Sequence, residues 1–220
     1  MGWAGIILPE QYGGLEFGFA GMGAVMHVAG ATLTASPLMA SAITGASAVL
    51  LGGTEAQKES LLPQVASGEL TLTLALEETP HHNPLGCELS ASQTDNGYTL
   101  NGKKLFVVDG HSADKLIVVA RTSGNAGDSE GLSLFIIDGT AEGVVRKRTI
   151  MADSRNAANI EFNDASVAAD ALIGELGQAW PVLEQVLDRS RIALSAEMLG
   201  NCWKAFNDTV EYLKERDQFG

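Results

Sequence analysis

From about Gln178 the apolar residues recur at spacings of three and four: Trp180, Leu183, Val186, Leu187, Ile192 and Leu194, then Met198, Leu199, Cys202, Phe206, Val210 and Leu213. That period belongs to one long amphipathic helix, or to two in sequence. It constrains the chain more than any other feature, because a lone helix cannot bury its own apolar stripe and draws its stability from packing. Partner helices are required, and few of the 220 residues remain to supply them. The expectation is a truncated bundle or one completed by a partner chain. The stripe of Leu183, Val186, Leu187, Leu194, Met198 and Phe206 should then be partly exposed or covered by another copy.

The pattern upstream changes character once more. Residues 1 to about 70 are rich in Ala, Gly and Met. Thr54 with Gln57 three residues on reads as a helix start, between the end signals Gly53 and Gly68. Residues 21–34 and 37–51 are weaker helical candidates, the second reading as a buried or interface helix. From about Leu70 the pattern is β. Residues 116–120 and 132–137 read as buried strands, residues 158–162 alternate, and Asp95-Asn96-Gly97 and Asn101-Gly102 read as turns between short strands. No glycine-rich phosphate loop joins a strand to a helix, which argues against a dinucleotide fold of the parallel type. The fold class is therefore α+β. A partial N-terminal helical domain covers 1–69, and a middle, predominantly antiparallel β domain of sandwich or barrel type covers 70–174. The opening helix or helices of a C-terminal bundle cover 175–220.

Composition narrows the partners. A formal net charge of −13 argues against nucleic acid and anionic membrane surfaces. No apolar run is long enough to span a bilayer, and no signal-peptide pattern is visible, so a cytoplasmic location is expected. Cys87 and Cys202 read as two free buried thiols in a reducing compartment. Adjacent His81 and His82 have no Cys or His at metal-ligand spacing, so no metal is expected.

Several short motifs then coincide in order and spacing: GWAGIILPEQYGG at 2–14, GTEAQK at 53–58, LP at 62–63, SGE at 67–69, NGKK at 101–104, GLSLF at 131–135, LIGE at 172–175 and YLKERDQFG at 212–220. Together they resemble the acyl-CoA dehydrogenase family along nearly the whole chain. The surroundings of Asn83-Pro84 and residues 112–118 are similar to the pimeloyl-CoA dehydrogenase small-subunit branch. The resemblance implies a helical domain, a β domain and a C-terminal four-helix bundle, with FAD between the last two and across a subunit interface. It implies removal of an α-proton from an acyl-CoA thioester by a carboxylate, with hydride passing to the flavin. The partners implied are acyl-CoA, an electron-transfer flavoprotein or similar acceptor, and a second dehydrogenase subunit, identical or different.

The same resemblance assigns roles by position. Leu76, Glu77 and Glu78 fall in a loop whose backbone and hydroxyl groups hold the flavin in the family. Here Glu77 stands for Thr, Thr79 for Pro, and Asn83 for a Ser at the substrate end. The alternative is an exposed loop with two solvated acids. Phe106, Val107 and Val108 fall on the strand that carries a flavin-stacking Trp and a Thr hydroxyl. Phe106 keeps an aromatic face and Val108 lacks the hydroxyl; the alternative is a plain core strand. Asp188 and Arg191 match a pair that holds acyl-CoA, or form a helix-surface ion pair at i and i+3. Arg216, Gln218 and Phe219 match a signature reaching the FAD pyrophosphate and adenosine of a neighbouring subunit, where an Arg fork suits phosphate. They also read as an ordinary charged last turn. Ser190 occupies the position where one branch places its catalytic Glu, and it cannot serve as that base. The commoner base position lies past residue 220. Three readings follow: a flavin dehydrogenase chain inactive by itself, a non-catalytic partner or scaffold, or a fragment without stable function of its own.

Overall fold

The computed structural model describes residues 2–219; Met1 and Gly220, the last residue of the closing motif, lie outside the described residues. Two short 3-10 turns open the chain, followed by α1 (Gly18–Ala31). A π-helical stretch, Leu38–Gly45, runs directly into α2 (Ala46–Gly52). Its inner face is buried. α3 (Glu55–Ser67) begins with the expected capping box, Thr54 and Gln57 each accepting the other's backbone N–H. It ends on Gly68 at φ 83°, the left-handed cap that glycine adopts without strain.

Eight strands form one sheet in the order β6-β7-β3-β2-β4-β5-β8, with β1 beside β4. Their ranges are β1 Leu72–Ala75, β2 Ser90–Thr94, β3 Gly97–Val108, β4 Lys115–Arg121, β5 Leu132–Asp138, β6 Val144–Ile150, β7 Asn156–Ala168 and β8 Leu172–Ile173. The pairings are antiparallel except where β4 meets β1 and the end of β2. β4 is buried from Leu116 to Arg121, because one face looks into the sheet's own core and the other towards the helices. The sheet curls enough for Tyr98 of β3 to meet Phe135 of β5, ring centroids 4.8 Å apart, across two intervening strands.

Asp95 and Asn96 make the expected turn between β2 and β3, but Asn101-Gly102 does not turn the chain. It lies inside β3, where the pairing with β7 slips register between Leu100 and Gly102. The side chain of Asn101 pairs with Asp164 through two 2.9 Å contacts, and Gly102 passes so close to Leu89 that an added Cβ would stand 2.9 Å from its Cα. This is a bulge, the other structure that an Asn-Gly pair supports inside a strand.

The C-terminal pattern resolves into one helix, α4 (Trp180–Glu215), of 36 residues. Leu183, Val186 and Leu187 are buried by the chain itself, whereas Leu194, Met198 and Phe206 are 45%, 59% and 62% exposed. The stripe is thus covered in its first turns and bare beyond. α1 crosses α4 at Gly30 and Gly200, where a Cβ would come within 1.9 Å of Glu197 O and 1.8 Å of His27 O respectively. Cys87 is buried as expected, but Cys202 is exposed, since it lies on the opposite side of α4 from Gly200, which packs on α1. No described helix is long and apolar enough to cross a membrane.

Candidate functional site

A cavity of about 320 Å³ lies between the sheet, the π-helical stretch and α4. Met39, Ala40 and Thr44 supply one wall, Leu187 and Leu194 another, and the sheet side presents Leu76, Glu77, His82, Phe106 and Val108. Its surface is mostly apolar, the lining expected of a small-molecule crevice.

The sheet wall is shaped by a second bulge in β3. Pairing with β7 slips between Lys104 and Val107, and Phe106 takes φ 51°, a left-handed value that a bulky residue avoids. Its N–H donates to Asn159 Oδ1 at 2.9 Å, and its ring is left half-exposed to the cavity. Val108 also faces outward, while the Val107 side chain turns into the core at 2% exposure. Of these three predicted residues, Phe106 and Val108 therefore face outward and Val107 does not.

The adjoining loop gives its two acids different tasks. Glu77 O accepts from Leu105 N at 2.7 Å, joining the loop to β3. The Glu77 carboxylate meets His82 Nδ1 at 2.6 Å and accepts from Asn83 N at 3.0 Å. His82 Nε2 lies 3.4 Å from Arg191 Nη2, and a guanidinium only donates. A tautomer with Nδ1 donating to Glu77 and Nε2 accepting from Arg191 satisfies both contacts. Arg191 also donates to Asp188 Oδ1 at 2.7 Å. The expected surface ion pair is present, and it also reaches the loop, so Glu77, His82, Asn83, Asp188 and Arg191 form one cluster at the cavity rim.

Glu78 points the other way, so its side chain is not in the cavity wall and only its backbone could serve a ligand there. It accepts from Glu88 N at 2.8 Å, Leu89 N at 3.0 Å and the fully buried Lys104 Nζ at 2.6 Å. Burial pushes this carboxyl up, but the lysine charge and the three hydrogen bonds outweigh burial and hold it below the usual range. Lys104 Nζ also donates to Leu76 O at 3.0 Å and lies 3.5 Å from Cys87 Sγ. Burial pushes the Cys87 thiol up to about 11, against the lysine's pull, so this sulfur stays protonated and unreactive. The alternative of two solvated acids fails for both, since Glu77 and Glu78 are each held by backbone N–H groups.

Ser190 does not face the cavity as a free hydroxyl. Its Oγ lies 2.8 Å from Val186 O and 2.8 Å from Thr44 Oγ1, bridging α4 to the π-helical stretch. Arg216, Gln218 and Phe219 follow the end of α4, exposed and apart from the cavity, with the Arg216 guanidinium 5.1 Å from the Tyr212 ring centre. A neighbouring cavity of about 280 Å³ shares Met39 and Val108 and adds Asp109, Ser112 and Arg155. Arg155 is ion-paired to the buried Glu197 of α4, and burial raises the Asp109 carboxyl although Arg155 pulls it down. Sequence reasoning missed His82, Lys104 and Asn159 as parts of this site. A lysine in a β3 stretch that alternates around it was the one available signal; the other two depend on bulge and loop geometry.

Comparison with known proteins shows the family and the fold. Residues 1–69 match the family model for the acyl-CoA dehydrogenase N-terminal domain, and residues 78–165 match that for the middle domain. The short-chain specific acyl-CoA dehydrogenase of Megasphaera elsdenii is 33% identical over 233 residues, covering 100% of this chain and 60% of that protein. The solved butyryl-CoA dehydrogenase of M. elsdenii superposes with a TM-score of 0.87 at 30% identity, over 100% of this chain and 60% of the other. A chain in the structure of the electron transferring flavoprotein of Acidaminococcus fermentans gives 0.88 at 28% identity, over 100% of this chain and 59% of the other. The chain belongs to the acyl-CoA dehydrogenase family. It spans about 60% of the length of these relatives.

Proposed function

We propose that this chain forms part of a FAD-dependent site for α,β-dehydrogenation of an acyl-CoA thioester. The observation that carries the reading is Phe106: an aromatic ring at φ 51°, half-exposed on an apolar cavity between sheet and helices. Strain of this kind persists where surrounding structure imposes it, and it concentrates at ligand sites. Flat aromatic ligands suit such a wall, so the residues fit a flavin ring. FAD, when bound, supplies the acceptor for the hydride leaving the β-carbon. Phe106 and Val108 would flank the ring, and the backbone N–H groups of Leu76 and Glu77 would be the ones left to serve its polar edge, since both carbonyls are already engaged. The rim cluster of His82, Asn83, Asp188 and Arg191 holds the acyl-CoA. Arg216, Gln218 and Phe219 serve the FAD of a second subunit, identical or homologous, since their own cavity is out of reach. The three-part division at 1–69, 70–174 and 175–220, an electron-transferring flavoprotein as acceptor, and a cytoplasmic setting belong to the same reading.

Among the described residues, the cavity beside Phe106 has no unengaged carboxylate in its lining to receive the α-proton. Glu77 lines the cavity but is engaged by His82 and Asn83 N, Glu78 by Lys104, and Ser190 is not a base. General base catalysis contributes about 10²- to 10⁴-fold. The polypeptide of these residues, assayed by itself, is therefore expected to be inactive. The loss of the family's flavin-facing hydroxyls at Glu77 and Val108 favours a second reading, a non-catalytic partner of an active dehydrogenase subunit. Turnover of an acyl-CoA panel with added FAD and an artificial acceptor tests both. Ser190→Glu gaining turnover supports the first reading, and robust turnover by the unchanged chain refutes the account of the base. FAD-free protein that co-purifies with a longer homologue favours the second.

A further inference from the structure

The cavity wall is held from behind by a lysine that no comparison assigns. Lys104 is fully buried, and its ammonium has three neighbours: Glu78 Oε1 at 2.6 Å, Leu76 O at 3.0 Å and Cys87 Sγ at 3.5 Å. Two of these belong to the residues immediately before and after Glu77. The third anchors the far limb of the loop, where Glu78 also takes the N–H groups of Glu88 and Leu89. Lys104 itself stands at the register slip that turns Phe106 outward. One buried cation therefore ties together both limbs of the loop and the strand bulge beside it. The cavity-facing groups, Glu77 with His82 and Phe106, stand directly in front of these ties.

We infer that Lys104, through its ion pair with Glu78, is a positioning residue for the flavin-side wall of the cavity. Burying an ammonium and a carboxylate together is unfavourable compared with well-packed apolar side chains of similar size. Its retention here has a specific use: apolar packing would fill the space without fixing the direction of Leu76 O or the lie of Glu77. A point cation with three donors fixes all three neighbours at once. The inference rests on the proposed flavin site for its purpose, but the geometry it describes is independent of any ligand.

The test compares the full chain with Lys104→Met and with Lys104→Met/Glu78→Met by amide hydrogen exchange, thermal unfolding and FAD titration. The single variant leaves a buried carboxylate without its partner and is expected to lose stability throughout. The double variant removes both charges and is expected to recover the wild-type unfolding temperature. In that stable double variant the amides of Leu105 and Asn83, which bond to Glu77, should exchange about tenfold faster, the effect of a tenfold shift in local opening. FAD affinity should fall by about the same factor. Native exchange at Leu105 and Asn83 in the double variant would overturn the inference, because packing alone would then set the wall. Loss of protection across the whole sheet would overturn it too, making the pair a general stability element. If the wild-type chain takes up no FAD, the functional proposal fails while the exchange result still decides this one.

Discussion

Removing the Asn159 side chain should release Phe106 from the conformation that aims its ring at the cavity. A non-glycine residue in the left-handed region carries about 1–2 kcal/mol of strain. The hydrogen bond from Phe106 N to Asn159 Oδ1, at 2.9 Å and exposed to solvent, offsets part of it. Such bonds contribute about 0.5–1.5 kcal/mol net, and exposure places this one towards the lower end. Asn159→Ala should therefore lower stability by about 0.5 kcal/mol, which for a domain of this size is roughly 1–2 °C in melting temperature. Phe106→Gly in the same background should restore most of that loss, since glycine accepts positive φ without strain. Both changes should weaken FAD binding, the first by loosening the ring and the second by deleting it. The assay is thermal unfolding of the four proteins in a double-mutant cycle, paired with flavin fluorescence titration. Additive effects of the two substitutions, or unaltered FAD affinity in Asn159→Ala, would refute the reasoning.

Acid should unfold the chain partly through Glu78. Its carboxyl is depressed in the folded state, so its contribution is complete above the ordinary glutamate value of about 4.3 and is lost as pH falls through the depressed one. Acid titration by circular dichroism should show a shallower stability loss in Glu78→Gln, and an unchanged slope would contradict this. Replacing Leu194, Met198 and Phe206 with Ser should reduce self-association or partner binding in sedimentation experiments, with little change in melting temperature because these side chains are already exposed. Strict monomers in both proteins, with no binding partner, would count against the face as an interface. Gly200→Ala forces a Cβ to within 1.8 Å of His27 O, so the α1–α4 crossing must open; a loss of about 1–3 kcal/mol in denaturant unfolding is expected, and a neutral result would contradict the packing described.

Most of the fold was legible because it depends on local rules. The Thr54–Gln57 box, the glycine caps, the three-and-four stripe of α4 and the apolar run of β4 each act over a few residues. Asn101-Gly102 was misread because the same dipeptide serves a turn or a bulge, and only pairing with β7 at Asp164 decides which. Cys202 was misplaced because periodicity reports which face a residue occupies, not whether a neighbour covers that face. At the site, the resemblance named a loop and a strand that line one cavity, yet it could not show that Glu77 faces that cavity while Glu78 faces Lys104. That division follows from loop geometry across residues distant in sequence. Arg191 meeting His82, 109 residues apart, is a tertiary contact of the same kind.

The central claim is that the cavity beside Phe106 is a flavin site, weakened by lost side-chain contacts and incomplete without a second subunit. FAD titrated into the purified chain tests it most directly, following quenching of flavin fluorescence in wild type and Phe106→Ala. The account predicts weak, saturable binding by the wild type and roughly tenfold weaker binding by the variant, as expected for losing about 1–1.5 kcal/mol of aromatic stacking. Equal affinity in the two proteins, or no saturable binding by the wild type, would contradict it.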